Sequence, residues 1–180
     1  MSMTRLAATL FVALLALAGC EAPGTTSNPN ADAGIISAFQ AGPIRLRHVD
    51  AINALRSERG LQPLQMSAQL IAAAETHARD IANQQRAWDF GSDGSSPQTR
   101  AERAGYVGVV RGENVAETFK GDLFVLQTWL QGGPSRQVIL DPQATHIGLG
   151  WYQESNGKLW WVQVIGQQRS AAPVATAQLQ

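Results

Sequence analysis

The sequence has almost no cysteine: Cys20 is the single one in 180 residues. One thiol cannot form an internal disulfide, so the fold rests on packing alone. The sequence also lacks a surplus of either charge. Its 14 Lys and Arg face 14 Asp and Glu, with no run of like sign. A nucleic-acid binder needs a basic face that displaces counterions from phosphates, so no nucleic-acid partner is expected. The longest apolar run, Leu6 to Ala18, falls short of the roughly 20 residues that cross a bilayer. There is no Gly-x-Ser-x-Gly elbow, phosphate loop or dinucleotide fingerprint, and no internal repeat.

What is present begins with MSMTRLAATLFVALLALAGC. Arg5 supplies a positive start, and the apolar run suits the h-region of a signal peptide. The run ends in Leu17-Ala18-Gly19-Cys20, which resembles the lipobox of bacterial lipoproteins. The resemblance implies export, removal of residues 1–19, and acylation of Cys20, so that lipid holds the chain on a membrane. Glu21 is not the aspartate that commonly retains such proteins in the inner membrane. The outer membrane or the periplasmic face is therefore favoured over the cytoplasm.

Residues 20–43 are expected to be the lipidated cysteine and a flexible tether, because their Pro, Gly, Ser, Thr and Asn bury too little apolar area to offset ordering entropy. Residues 167–180 read as a loose tail for the same reason, leaving 44–166 as the folded domain. Leu46, Val49, Ile52 and Leu55 recur every three residues and predict a helix that ends at Gly60. Ser67 caps a second helix with Leu70, Ala74, His77, Ala78 and Ile81 on one face, and Leu61 to Leu64 is an extended link. Ser96-Pro97 starts a short helix that Gly105 stops. Tyr106 to Ala116 is extended, and Asp122 to Leu130 is a fourth helix with Leu123, Leu126, Trp129 and Leu130 inward. Beyond Pro142 the period becomes two, and Asn156-Gly157 turns a hairpin whose return strand is Leu159 to Ile165. Helices first and an antiparallel hairpin last give a layered fold with helices on the sheet faces.

Specific residues follow that order of elements. Asn53-Ala54-Leu55-Arg56, His77-Ala78 with Asp80, Gly91-Ser92-Asp93-Gly94-Ser95 with Arg100, Gly112-Glu113-Asn114-Val115-Ala116, Trp129 and Ile147-Gly148-Leu149-Gly150 stand in sequence. Together they resemble the bacterial branch of the CAP superfamily, the SCP or cysteine-rich secretory protein, antigen 5 and pathogenesis-related 1 domain. The resemblance implies an α+β fold, a three-layer α-β-α sandwich around a small antiparallel sheet. It also implies a cavity, which in several family members holds a divalent metal on histidines and acids. Carried over position by position, that cavity loses its histidines. Asp89 stands at one, Ser135 at a second and Trp160 at a third, while the acid persists as Glu113.

The cavity candidates are therefore Asp89, Glu113, Asn114, Ser135, Trp160 and Gln163, with no catalytic residue assigned and no metal or cofactor expected. The open alternative is a hard cation, or acid–base chemistry, shared between Asp89 and Glu113. Trp160 and Trp161 are adjacent on a strand and must point to opposite faces, so one of them could line the cavity. His77 among alanines reads as a packed, hydrogen-bonded core residue. The expected function is a non-catalytic, membrane-anchored binding module for an envelope lipid, a cell-wall glycan or a protein. The alternative is a divergent hydrolase of cell-wall or peptide bonds using Asp89 and Glu113.

Overall fold

The computed structural model describes Asn28 and residues 30–169. The signal segment, Cys20, most of the expected tether and the tail beyond Arg169 lie outside the described residues. Helix α1 (Ala41–Ser57) follows a 3-10 turn at Ala38–Gln40. The ordered chain thus starts earlier than the expected boundary at residue 44. Ala33 and Ile36 already pack against the core, which repays their ordering. The buried face of α1 is Ile44, His48, Val49, Ile52 and Arg56, whereas Leu46 of the three-residue series is 52% exposed. The true stripe follows the 3.6-residue period, and two of its members are polar.

A two-residue strand, β1 (Gln65–Met66), precedes α2 (Ala68–Gln84). The Ser67 side chain accepts from the Leu70 N–H and caps α2, which buries Leu70, Ala74, His77, Ala78 and Ile81 as its spacing predicts. Ser96 caps α3 (Pro97–Arg103) in the same way, and Gly105 takes the left-handed conformation just past its end. Then come β2 (Gly108–Thr118), α4 (Asp122–Gln131), α5 (Gly133–Ile139), β3 (His146–Gln153) and β4 (Leu159–Gln168). Strand β4 runs two residues into the expected tail. Among the described residues, no helix is long and apolar enough to cross a membrane.

The sheet order is β1-β3-β4-β2. Strands β3 and β2 flank β4 antiparallel, whereas β1 joins β3 in parallel, so the sheet is mixed where a purely antiparallel one was expected. The three-layer arrangement stands. On one face α1, α4 and α5 meet Ile147, Leu149, Trp161 and Ile165; on the other, α2 and α3 meet Trp160, Val162 and Val164. Helix α2 lies directly on the backbone of β3: a Cβ at Gly148 would overlap the Leu70 carbonyl, and one at Gly150 the Glu75 amide. Alternation at 147–151 thus places bulk toward α1 and glycine toward α2.

A guanidinium sits inside the packing under α1. Arg56 is fully buried. Its guanidinium donates to the carbonyls of Gln62 (2.9 Å), Ile139 (2.8 Å), Asp141 (3.0 Å) and Ala144 (3.3 Å). Four backbone dipoles satisfy the cation where no carboxylate touches it.

Candidate functional site

The Gly-Glu-Asn segment lies on β2, where consecutive side chains point to opposite faces of the sheet. Glu113 faces α2 and α3; Asn114 faces α1 and α4. The six candidate residues therefore do not share one site.

On the α2 and α3 side, the Glu113 side chain is 2% exposed. One of its oxygens accepts a 2.6 Å hydrogen bond from Arg100 on α3. The same guanidinium donates to the carbonyls of Ser95 (2.6 Å) and Asp89 (3.0 Å). It is held in place by the loop that precedes α3. His77, fully buried on α2, donates from Nε2 to the Trp88 carbonyl at 3.0 Å and lies 3.4 Å from Glu113. Burial pushes the Glu113 carboxyl up to about 8, with Arg100 pulling it down and Asp89 adding to the rise. Burial, with help from the Arg100 charge, holds His77 down at about 4. The imidazole is thus neutral at physiological pH.

Asp89 is exposed and contributes its carbonyl, not its carboxylate, to the cluster. The expected Asp89–Glu113 carboxylate pair is replaced by a Glu113–Arg100 ion pair. Arg100 is the residue that sequence reasoning missed as a site member. Its signal was its place one turn beyond the Ser96 cap, next to the buried Ala101. A pocket of about 440 Å³ opens beside the cluster, between α2 and α3, with Thr76, His77, Asp80, Ser92 and Arg100 in its lining.

On the α1 and α4 side the central contact is between an imidazole and an amide, with the buried Asp122, ion-paired to Arg47, nearby. Gln163 is fully buried, directly opposite Asn114 in the β2–β4 register, and its Oε1 meets His48 Nε2 at 2.8 Å. Asn114 donates to the carbonyl of Ser135 at 3.2 Å, so Ser135 acts through its backbone. Burial lowers the His48 pKa, so this histidine, too, is neutral. Trp129 packs edge-on against it. Trp160 and Trp161 do point to opposite faces, but both are fully buried in the two cores. The expectation that one lines a cavity is corrected: the Trp160 indole is core, and its N–H donates to Glu154 at 2.8 Å.

The family model described as the cysteine-rich secretory protein family, CAP, matches residues 49–165. The chain belongs to the CAP family. It is similar to YkwD of Bacillus subtilis, with 29% identity over 147 residues, 82% of this chain and 56% of that protein. Among solved structures it is similar to an extracellular SCP-domain protein of Bacillus anthracis, with TM-score 0.65 and 21% identity over 75% of this chain and 45% of that one. It is also similar to an outer surface protein of Borrelia burgdorferi, with TM-score 0.62 and 14% identity over 77% and 100%. At these identities the solved structures establish the fold. The CAP chain spans only about half the length of its two Bacillus relatives.

Within this CAP domain the acid of the Gly-Glu-Asn segment has a guanidinium as its neighbour. A carboxyl raised toward neutrality is chemically suited to acid–base work. Here it is sealed from solvent, and one of its oxygens is occupied by Arg100.

Proposed function

We propose that this chain is a lipid-anchored CAP domain displayed outside the cytoplasm, and that it is a non-catalytic binding module. Its ligand class is an envelope lipid, a cell-wall glycan or a protein. The observation that supports the reading most is the Arg100–Glu113 contact. A fixed positive charge 2.6 Å from the acid opposes cation binding there, and a 2% exposed carboxylate does not meet a substrate. Export and anchoring are supported by the Leu17-Ala18-Gly19-Cys20 sequence and by relatives described as extracellular and outer-surface proteins.

Calorimetric titration of zinc and of calcium into the chain lacking residues 1–20 is expected to give no saturable heat. Saturable binding that disappears in Glu113→Gln would overturn the non-catalytic reading and favour the hydrolase alternative. In cells, Cys20→Ser is expected to abolish labelling by palmitate and to move the protein from the membrane to the soluble fraction. Unchanged labelling would refute the anchor.

A further inference from the structure

Among the described residues, large apolar side chains stand exposed at the end of the domain where the chain enters. Phe39 is 94% exposed, Ile35 68% and Phe119 46%. Backbone pairing sets the segment before Ile35 beside Phe119, and Phe39 follows Ile35 by four residues, in the 3-10 turn Ala38–Gln40. The Ala33 amide donates to the Phe119 carbonyl at 2.9 Å, and Asp32 pairs with Lys120. Gln153 fixes the next turn by accepting from the Ile36 amide and donating to the Gly34 carbonyl. Ile36 and Ala33 face the core, so Ile35 faces out. The two lysines at this end are already neutralised, Lys120 by Asp32 and Lys158 by Glu117. The exposed apolar side chains are thus flanked by compensated ion pairs, with no free lysine charge among them.

We infer that this end of the domain rests on the lipid bilayer, with Ile35, Phe39 and Phe119 in its interfacial zone; the inference rests on the proposed lipid anchor at Cys20. Nine residues lie between Cys20 and Asn30, ten steps of chain that reach at most about 35 Å when fully stretched. The domain is itself about 35–40 Å across. A tether this short holds the entry end near the bilayer at high effective concentration, so a patch of modest intrinsic affinity suffices. Phenylalanine and isoleucine side chains beside a helix start are the groups that partition into the headgroup–acyl boundary. The opposite end of β2 carries a matched control: Val107 is 65% exposed but lies 11 strand residues from Phe119, about 35 Å away.

The test uses the chain from Cys20 onward, which keeps every residue of both cores. Its single thiol is coupled to a maleimide lipid in vesicles of phosphatidylethanolamine and phosphatidylglycerol with brominated acyl chains. Orientation is then read without relying on acylation in the cell. Phe39→Trp and Val107→Trp place reporters at two solvent-exposed sites, and the emission of the unsubstituted chain is subtracted. The expected result is loss of emission from Phe39→Trp and none from Val107→Trp. Adding Ile35→Ser and Phe119→Ser to Phe39→Trp should restore most of the emission. Equal quenching at both positions, or quenching at neither, would overturn the proposal. Oriented quenching on vesicles alongside absent palmitate labelling in cells would refute the anchor while leaving the surface assignment in place.

Discussion

On the α2 and α3 side of the sheet the buried histidine stands beside a guanidinium and a carboxyl; on the α1 and α4 side its hydrogen-bond partner is an amide, and the paired charges of Asp122 and Arg47 stand nearby. Both clusters are fed by the same dipeptide, Glu113-Asn114, because a strand sends neighbours to opposite faces. Each cluster contains one fully buried histidine, His77 on one side and His48 on the other. The difference lies in the partner: His48 meets the amide of Gln163, whereas His77 stands beside an ion pair. An amide–imidazole contact keeps its character across the physiological pH range. The Glu113–Arg100 contact does not: the carboxyl holds its proton below about pH 8 and forms an ion pair with the guanidinium only above it.

The comparison breaks most sharply at Arg100. Arg100→Met leaves Glu113 without its guanidinium, removes the side-chain donor to the Asp89 carbonyl, and leaves the Ser95 carbonyl with the Gly91 amide alone. Urea denaturation at neutral pH, where Glu113 holds its proton, should show a loss of about 2 kcal/mol from buried acceptors deprived of this donor. The next effect is in pH. Between its ordinary value of 4.5 and its folded value of about 8, Glu113 keeps in the native state a proton that the unfolded chain has released. Stability therefore falls as pH rises through that window. His77, lowered from 6.5 to about 4, acts in the opposite sense: the unfolded chain takes up a proton that the native state refuses, so stability falls as pH drops. The two slopes oppose each other below 6.5, and only that of Glu113 acts above it. Stability should decline by about 1.5 kcal/mol from pH 6.5 to 8. Glu113→Gln should flatten that decline, and an unaltered slope in the variant would assign it elsewhere.

The α1 and α4 side sharpens the contrast. His48→Phe and Gln163→Leu each leave a buried polar atom without its partner, while the double variant removes both. The cycle should return a coupling of about 1 kcal/mol, invariant between pH 7 and 8. The smallest effect is expected from Asp89→Asn. Removing that charge withdraws one upward push on Glu113 and shifts the pH-dependent decline to slightly lower pH, with a change in stability of a few tenths of a kcal/mol at neutral pH, in the range of exposed charges.

Much of the frame was legible before the structure. Ser67 and Ser96 marked two helix starts, the stripe on α2 named its buried residues, and Asn156-Gly157 marked the hairpin. What escaped had physical causes. The three-residue series of α1 took in Leu46 and passed over His48 and Arg56, the polar members of the buried face, because a hydrophobic count does not register them. Strand β1 is two residues long and exists only through pairing with β3, some eighty residues later. Helix α5 opens on Gly133-Pro134, a pair that reads as a stop. In the site, Glu113 was visible as a motif residue, but its partner was not. Whether an acid meets a second acid or a guanidinium depends on how the loop before α3 closes, which no local pattern encodes.

The Arg56 clasp has a consequence for the order in which the molecule comes together. Its four acceptors lie at Gln62 and between Ile139 and Ala144, so helix α1 cannot bury this cation until the chain has been delivered nearly to its last two strands. An N-terminal half made first would hold a permanent charge with one acceptor out of four. It would therefore gain little by closing early. Three of the four contacts of the clasp thus span more than eighty residues, and such long-range pairings carry a loop-closure cost before they stabilise the fold.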